Sequence, residues 1–220
     1  VNMFIGHGGE FFKAGTAEPN INNAKGVATL NMLKKLASLS NPDYLTHDSE
    51  AIKVEWESGK VALMTLWASR SGTLLDDEGD AKITAATKLT GPATVGGGNI
   101  PAATLWWDGF TLAKNRSDSD AEATFIALAH AASNKKMVAD AADQAVWLVE
   151  GFVPGPKSIG VIEAVKMGAK PYPMLPQMGL MHGALGSEIV EFLQGKESAE
   201  QALKDVEAAY ISKAKEQGFL

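Results

Sequence analysis

The sequence predicts a helix-rich α/β protein, a central sheet of mixed strands flanked by helices. Three observations predict it. Apolar residues recur at helical spacing in several capped segments, short apolar runs bounded by turn residues read as strands, and the two kinds of segment alternate along the chain. The 220 residues are 45% apolar and 21% charged, enough to fill the core of one large domain or two small ones.

Residues 1–22 read as a short apolar strand followed by a loop through Gly6, His7, Gly8, Gly9 and Glu10. A helix then starts at Asn23, whose side chain suits the cap, and aligns Val27, Leu30, Leu33, Leu36 and Ala37 before Asn41-Pro42 stops it. A second helix over 49–57 is closed by Ser58-Gly59. The apolar run 61–67, ending at Trp67, has the profile of a buried strand and leads into a polar loop, Ala68 to Gly72. Residues 76–80 read as an acidic, solvated loop, and Gly96 to Asn99 as a turn. Residues 104–113 read as a strand that carries Trp106 and Trp107, with Asp108-Gly109 in its middle; a glycine there permits close approach of a ligand or another backbone. Ser119 and Glu122 fit a capping box for an Ala-rich helix to residue 133. Helices over 135–142 and 159–167 flank a Gly/Pro loop, residues 170–181 are irregular, and two helices close the chain. The last starts at Ser198 with Gln201 completing a capping box, buries Ala202, Leu203, Val206, Ala209 and Tyr210, and stops at Gly218.

Composition excludes several classes. The net charge of −6, with only the isolated pairs Lys34-Lys35 and Lys135-Lys136, argues against binding nucleic acid. No segment approaches the ~20 apolar residues that cross a bilayer, so stable membrane insertion is not expected. With no cysteine there is no disulfide, thiolate metal site or Cys nucleophile. Phosphate-loop, Gly-x-Ser-x-Gly and His-Glu-x-x-His patterns are missing, and the triple glycine at 96–98 lacks a strand-turn-helix context. Asp76, Glu78 and Asp80 alternate as Ca²⁺ ligands do, but Gly79 is misplaced and no Glu closes the loop. No cofactor or metal is expected. Paired carboxylates stay open as an alternative, because folding rather than spacing brings glycosidase acids together.

What remains is aromatic. Three of the five tryptophans, Trp67, Trp106 and Trp107, stand where an apolar run meets a loop. Indole faces suit the C–H faces of sugar rings, and nearby polar groups then bond the hydroxyls. The alternative is core packing. Adjacent tryptophans on a strand point to opposite faces, so at most one of Trp106 and Trp107 faces a given pocket.

Several blocks together resemble the solute-binding proteins of sugar ABC importers, the family that includes maltose-binding protein. They are Gly8-Gly9-Glu10-Phe11-Phe12 with Asn22-Asn23; Trp56 to Met64, similar to the family's lead-in to a strand; Trp107 to Asn115 running into an Ala-rich helix; and Phe152-Val153-Pro154 with Lys157-Ser158. The most specific is Pro176-Gln177-Met178, then His182, then Gly195 to Lys204, whose order and spacing match the family's closing segment.

The resemblance implies a periplasmic-binding-protein-like (type II) fold of two lobes closing on ligand, of which this chain carries the C-terminal portion. Residues 1–107 and 156–220 would be mainly the C-terminal lobe, and 108–155 part of an N-terminal lobe otherwise missing. It implies a non-enzymatic, monomeric protein, periplasmic or otherwise extracytoplasmic in its mature form. Such a protein binds a sugar or polyol in the inter-lobe cleft and delivers it to the permease subunits of the ABC transporter. The ligand contacts it implies are Trp67, Trp107, Asp108, His182, Arg70, His7 and Trp106. His182 stands where the family carries a sugar-stacking aromatic, a departure that changes the expected ligand; its alternative is a plain loop histidine. The rival readings are a carbohydrate-active hydrolase with paired carboxylates and a binder of a non-sugar solute such as a polyamine or phosphate ester.

Overall fold

The computed structural model describes residues 1–76, 79–133, 135–142, 146–147 and 150–220. Glu78, one of the alternating acids weighed against a calcium loop, lies outside them, and no group of three His, Asp or Glu able to hold a metal occurs among the described residues. In chain order the helices are α1 (Asn2–Gly6), α2 (Ala24–Ala37), α3 (Ser49–Glu57), α4 (Ala68–Ser71), α5 (Ala81–Ala86), α6 (Asp118–Ser133), α7 (Lys135–Asp140), α8 (Ile159–Lys166), α9 (Met178–Leu193) and α10 (Ala199–Glu216). Strands β1 (Thr104–Leu105) and β2 (Lys170–Pro171) form the two-stranded sheet. No described helix is long and apolar enough to cross a membrane.

The chain divides into two compact units. The first comprises Val1–His47, Ala93–Thr104 and Met167–Leu220; the second comprises Asp48–Pro92 and Leu105–Lys166.

The first unit is built on α9 packed along α10, with α2 against both and α1 against α2. Its core joins Phe4, Phe11, Phe12, Ile21 and Leu30 to Met178, Met181, Ala184 and Phe192 of α9 and to Ala202, Leu203, Val206 and Tyr210 of α10. The buried positions of α10 recur every three or four residues, so one stripe removes its apolar surface from water. Tyr210 is fully buried because its hydroxyl donates to the Ala17 carbonyl at 2.6 Å and its ring packs on Phe12. Asn23 caps α2 by accepting from the Lys25 and Gly26 amides, as expected. Ser198 caps α10 by accepting from the Gln201 amide, but the Gln201 side chain reaches forward to Asp205 instead of back to the cap. Past α10, the amide of Gly218 reaches the Lys215 carbonyl and that of Phe219 the Ala214 carbonyl; this double closure turns on a left-handed residue, which Gly218 supplies at φ 75°.

The second unit buries fewer side chains, chiefly Ser71, Leu74, Thr87, Val138, Ser158 and Ala164. Asp48 caps α3, and Trp56 donates from its indole to the Thr87 hydroxyl at 3.0 Å. Ser117, not Ser119, caps α6: its hydroxyl accepts from the Asp120 amide.

Three expected strands are corrected. Residues 2–6 form α1, since Val1, Phe4 and Ile5 satisfy helical spacing as well as strand spacing over so short a run. The run 61–67 has no regular structure, and Leu63 is 90% exposed. The strand expected over 104–113 is cut to its first two residues. A strand needs a neighbour to satisfy its backbone amides and carbonyls, and an apolar run does not carry that neighbour with it. The segment 170–181 is also less irregular than expected: β2 opens it, and α9 begins at Met178, so His182 is a helix residue rather than a loop histidine.

Candidate binding site

In the first unit two helix faces meet over an apolar pocket of about 170 Å³. Met178, Met181 and Ala184 turn one side of α9 into the core. His182, Leu185, Gly186 and Ile189, at i, i+3, i+4 and i+7, line the pocket from the adjoining side. Across it, Gly26, Thr29, Leu30 and Leu33 of α2 repeat the same spacing, with Phe4, Phe11, Ile21 and Leu203 completing the wall. The Thr29 hydroxyl donates to the Lys25 carbonyl at 2.8 Å, which leaves the His182 imidazole as the main polar side chain of the lining.

His182 Nδ1 lies 2.9 Å from the Tyr172 hydroxyl, and the two rings stand 5.8 Å apart at 36°. Burial holds His182 below the ordinary histidine value and pushes the Tyr172 phenol up. Both shifts favour the neutral form. Sequence reasoning missed Tyr172; its only signal is an aromatic ten residues before a histidine in a proline-rich stretch. His7, in the same unit, terminates α1, and its Nε2 is buried without a hydrogen-bond partner among the described residues.

The second unit holds the other expected contacts: Trp67, Arg70, Trp106, Trp107 and Asp108. Trp67 precedes α4 and is 63% exposed; Trp106 and Trp107 follow β1 and are 55% and 61% exposed. Core packing does not account for three indoles with more than half their surface in water. Asp108 is exposed beside them in sequence. Arg70 is bonded through one guanidinium nitrogen to Glu50; the Ala51 amide chiefly, with a smaller addition from the Arg70 charge, holds the Asp48 carboxyl below its usual value. A smaller apolar pocket of about 130 Å³ in this unit is lined by Phe110, Val138, Trp147 and three alanines; sequence reasoning assigned it nothing. The Trp147 indole donates to the Ala141 carbonyl at 3.0 Å, which fixes one wall.

The structure thus offers two different surfaces: a mostly apolar pocket with one fixed imidazole, and a set of exposed indoles. Both suit non-covalent binding of a small molecule.

The fold is of the periplasmic-binding-protein type, represented here in part and with a small sheet. Several solved structures share it. Maltose-bound MalE3 of T. maritima matches with a TM-score of 0.72 at 16% identity, covering 95% of this chain and 55% of that one. A protein of Synechococcus sp. MITs9220 assigned as an oligosaccharide periplasmic-binding protein, solved in complex with zinc, matches with a TM-score of 0.68 at 14% identity, covering 97% and 57%. The chain therefore spans little more than half the length of these neighbours. No protein-family model and no curated protein sequence matches it.

Proposed function

We propose that this chain belongs to the substrate-binding component of an ABC importer and binds a sugar or polyol without catalysis, for delivery to a membrane permease. The observation that carries the reading is the exposure of Trp67, Trp106 and Trp107 on a fold shared with binding proteins. Exposed indoles cost water contact unless a ligand or partner covers them, and their flat faces suit sugar rings. Asp108 accepts from ligand hydroxyls, and Arg70 retains guanidinium donors beyond the one that holds Glu50. In the first unit His182 and His7 are proposed as contacts on their own positions. The lobe assignment, 1–107 with 156–220 against 108–155, belongs to the same proposal, as do an extracytoplasmic location and a monomeric state.

Calorimetric titration with a panel of mono-, di- and oligosaccharides and polyols tests the reading. One ligand class saturates the chain, and Trp67→Ala or Trp107→Ala weakens that binding by about thirtyfold, the usual loss for a stacked aromatic anchor, without unfolding the chain. Unchanged binding in both variants would make the indoles bystanders. Release of the phenol from an aryl glycoside, abolished by changing one Asp or Glu, would replace the binding reading with hydrolysis.

A further inference from the structure

We propose that Tyr172 is a positioning residue for His182: its phenol donates to Nδ1 and fixes the imidazole as the Nε2–H tautomer, so that the ring presents a hydrogen-bond donor to a ligand oxygen. This rests on the proposed binding function, in which His182 is a ligand contact. The geometry is specific. The hydroxyl stands 2.9 Å from Nδ1, and the phenol ring lies alongside the imidazole at 5.8 Å, so Tyr172 backs the ring as well as bonding it. Of the two groups, a phenol is the stronger donor and an unprotonated imidazole nitrogen the stronger acceptor, which orients the bond from oxygen to nitrogen. A neutral imidazole carries a single proton, so accepting at Nδ1 places it on Nε2.

Tyr172 reaches His182 from the proline-rich segment after β2, not from the helical turn that carries the histidine. The tautomer is therefore set from outside α9. An Nε2 donor favours ligands that offer a hydroxyl, ether or carbonyl oxygen and disfavours ammonium groups, which separates a sugar or polyol from a polyamine.

Nitrogen-15 NMR of the ligand-free chain tests this directly. The wild type should show His182 protonated on Nε2 and bare on Nδ1. Tyr172→Phe, with an unchanged circular dichroism spectrum, should give a mixture of tautomers. A proton on Nδ1 in the wild type, or an unchanged tautomer in Tyr172→Phe, overturns the proposal. With whichever panel sugar saturates the wild type, Tyr172→Phe should weaken binding about fivefold, the worth of one ordinary hydrogen bond. The same change in a His182→Ala background should weaken it less than twofold; an equal loss in both backgrounds would show Tyr172 acting on its own. If no sugar binds any variant, the binding reading fails, and the NMR result alone still decides the tautomer.

Discussion

A methyl group at Gly26 would run into the Ile21 carbonyl oxygen and come within 2.9 Å of Leu203 Cδ1. Here the glycine serves close approach rather than an unusual backbone angle: α2 comes so near to the start of its own loop that no Cβ fits. Gly26→Ala should therefore destabilise the first unit by about 3 kcal/mol, the upper range for overpacking, read as a fall in the denaturant midpoint. His182 gives a second expectation. Its folded pKa lies below the ordinary 6.5, so the unfolded chain takes up the proton more readily. The resulting stability is complete above pH 6.5 and declines as pH falls below it. Denaturation at pH 7.5 and 5.5 should show that decline, and His182→Asn should reduce it; equal slopes in both proteins would mean that burial does not perturb this ring.

Helices were legible in the sequence where a cap and a periodic stripe coincide. Asn23 with Val27 and Leu30, and Ser198 with Leu203 and Val206, carry their own start signals and their own buried faces. The strands were not legible, because a strand's hydrogen bonds belong to another segment: 61–67 has the right composition yet stays irregular, and among the described residues Thr104–Leu105 and Lys170–Pro171 pair as strands beside the isolated bridges Phe12–Pro19 and Thr94–Pro101. The site followed the same rule. Trp67, Trp106 and Trp107 stood out by residue type, whereas Tyr172 acquires a role only through a contact made by folding. Elements should also differ in stability. α10 buries six residues in the first unit's core, while α6 has no buried residue among those described and leaves Phe125 63% exposed. Amide exchange should accordingly be slowest in α10 and faster by orders of magnitude in α6, since exchange follows local opening free energy. Equal protection would show that α6 is covered in solution. The capping bond is testable in the same region, because Ser198→Ala should cost about 1 kcal/mol.

At the scale of the molecule, the two units carry different shares of the stability and of the candidate contacts. The continuous apolar cluster lies in the first unit, and the exposed indoles lie in the second. Unfolding should therefore proceed in two steps, with the second unit opening first, and circular dichroism and tryptophan emission should report different midpoints. All five tryptophans belong to the second unit, so emission reports that unit alone. Emission is for the same reason the most direct probe of the central claim. The measurement is a tryptophan-fluorescence titration of the folded chain against mono-, di- and oligosaccharides and polyols. A saturable change confined to one of these classes is the predicted result. A folded chain whose emission no member of the panel alters would contradict sugar binding by these indoles.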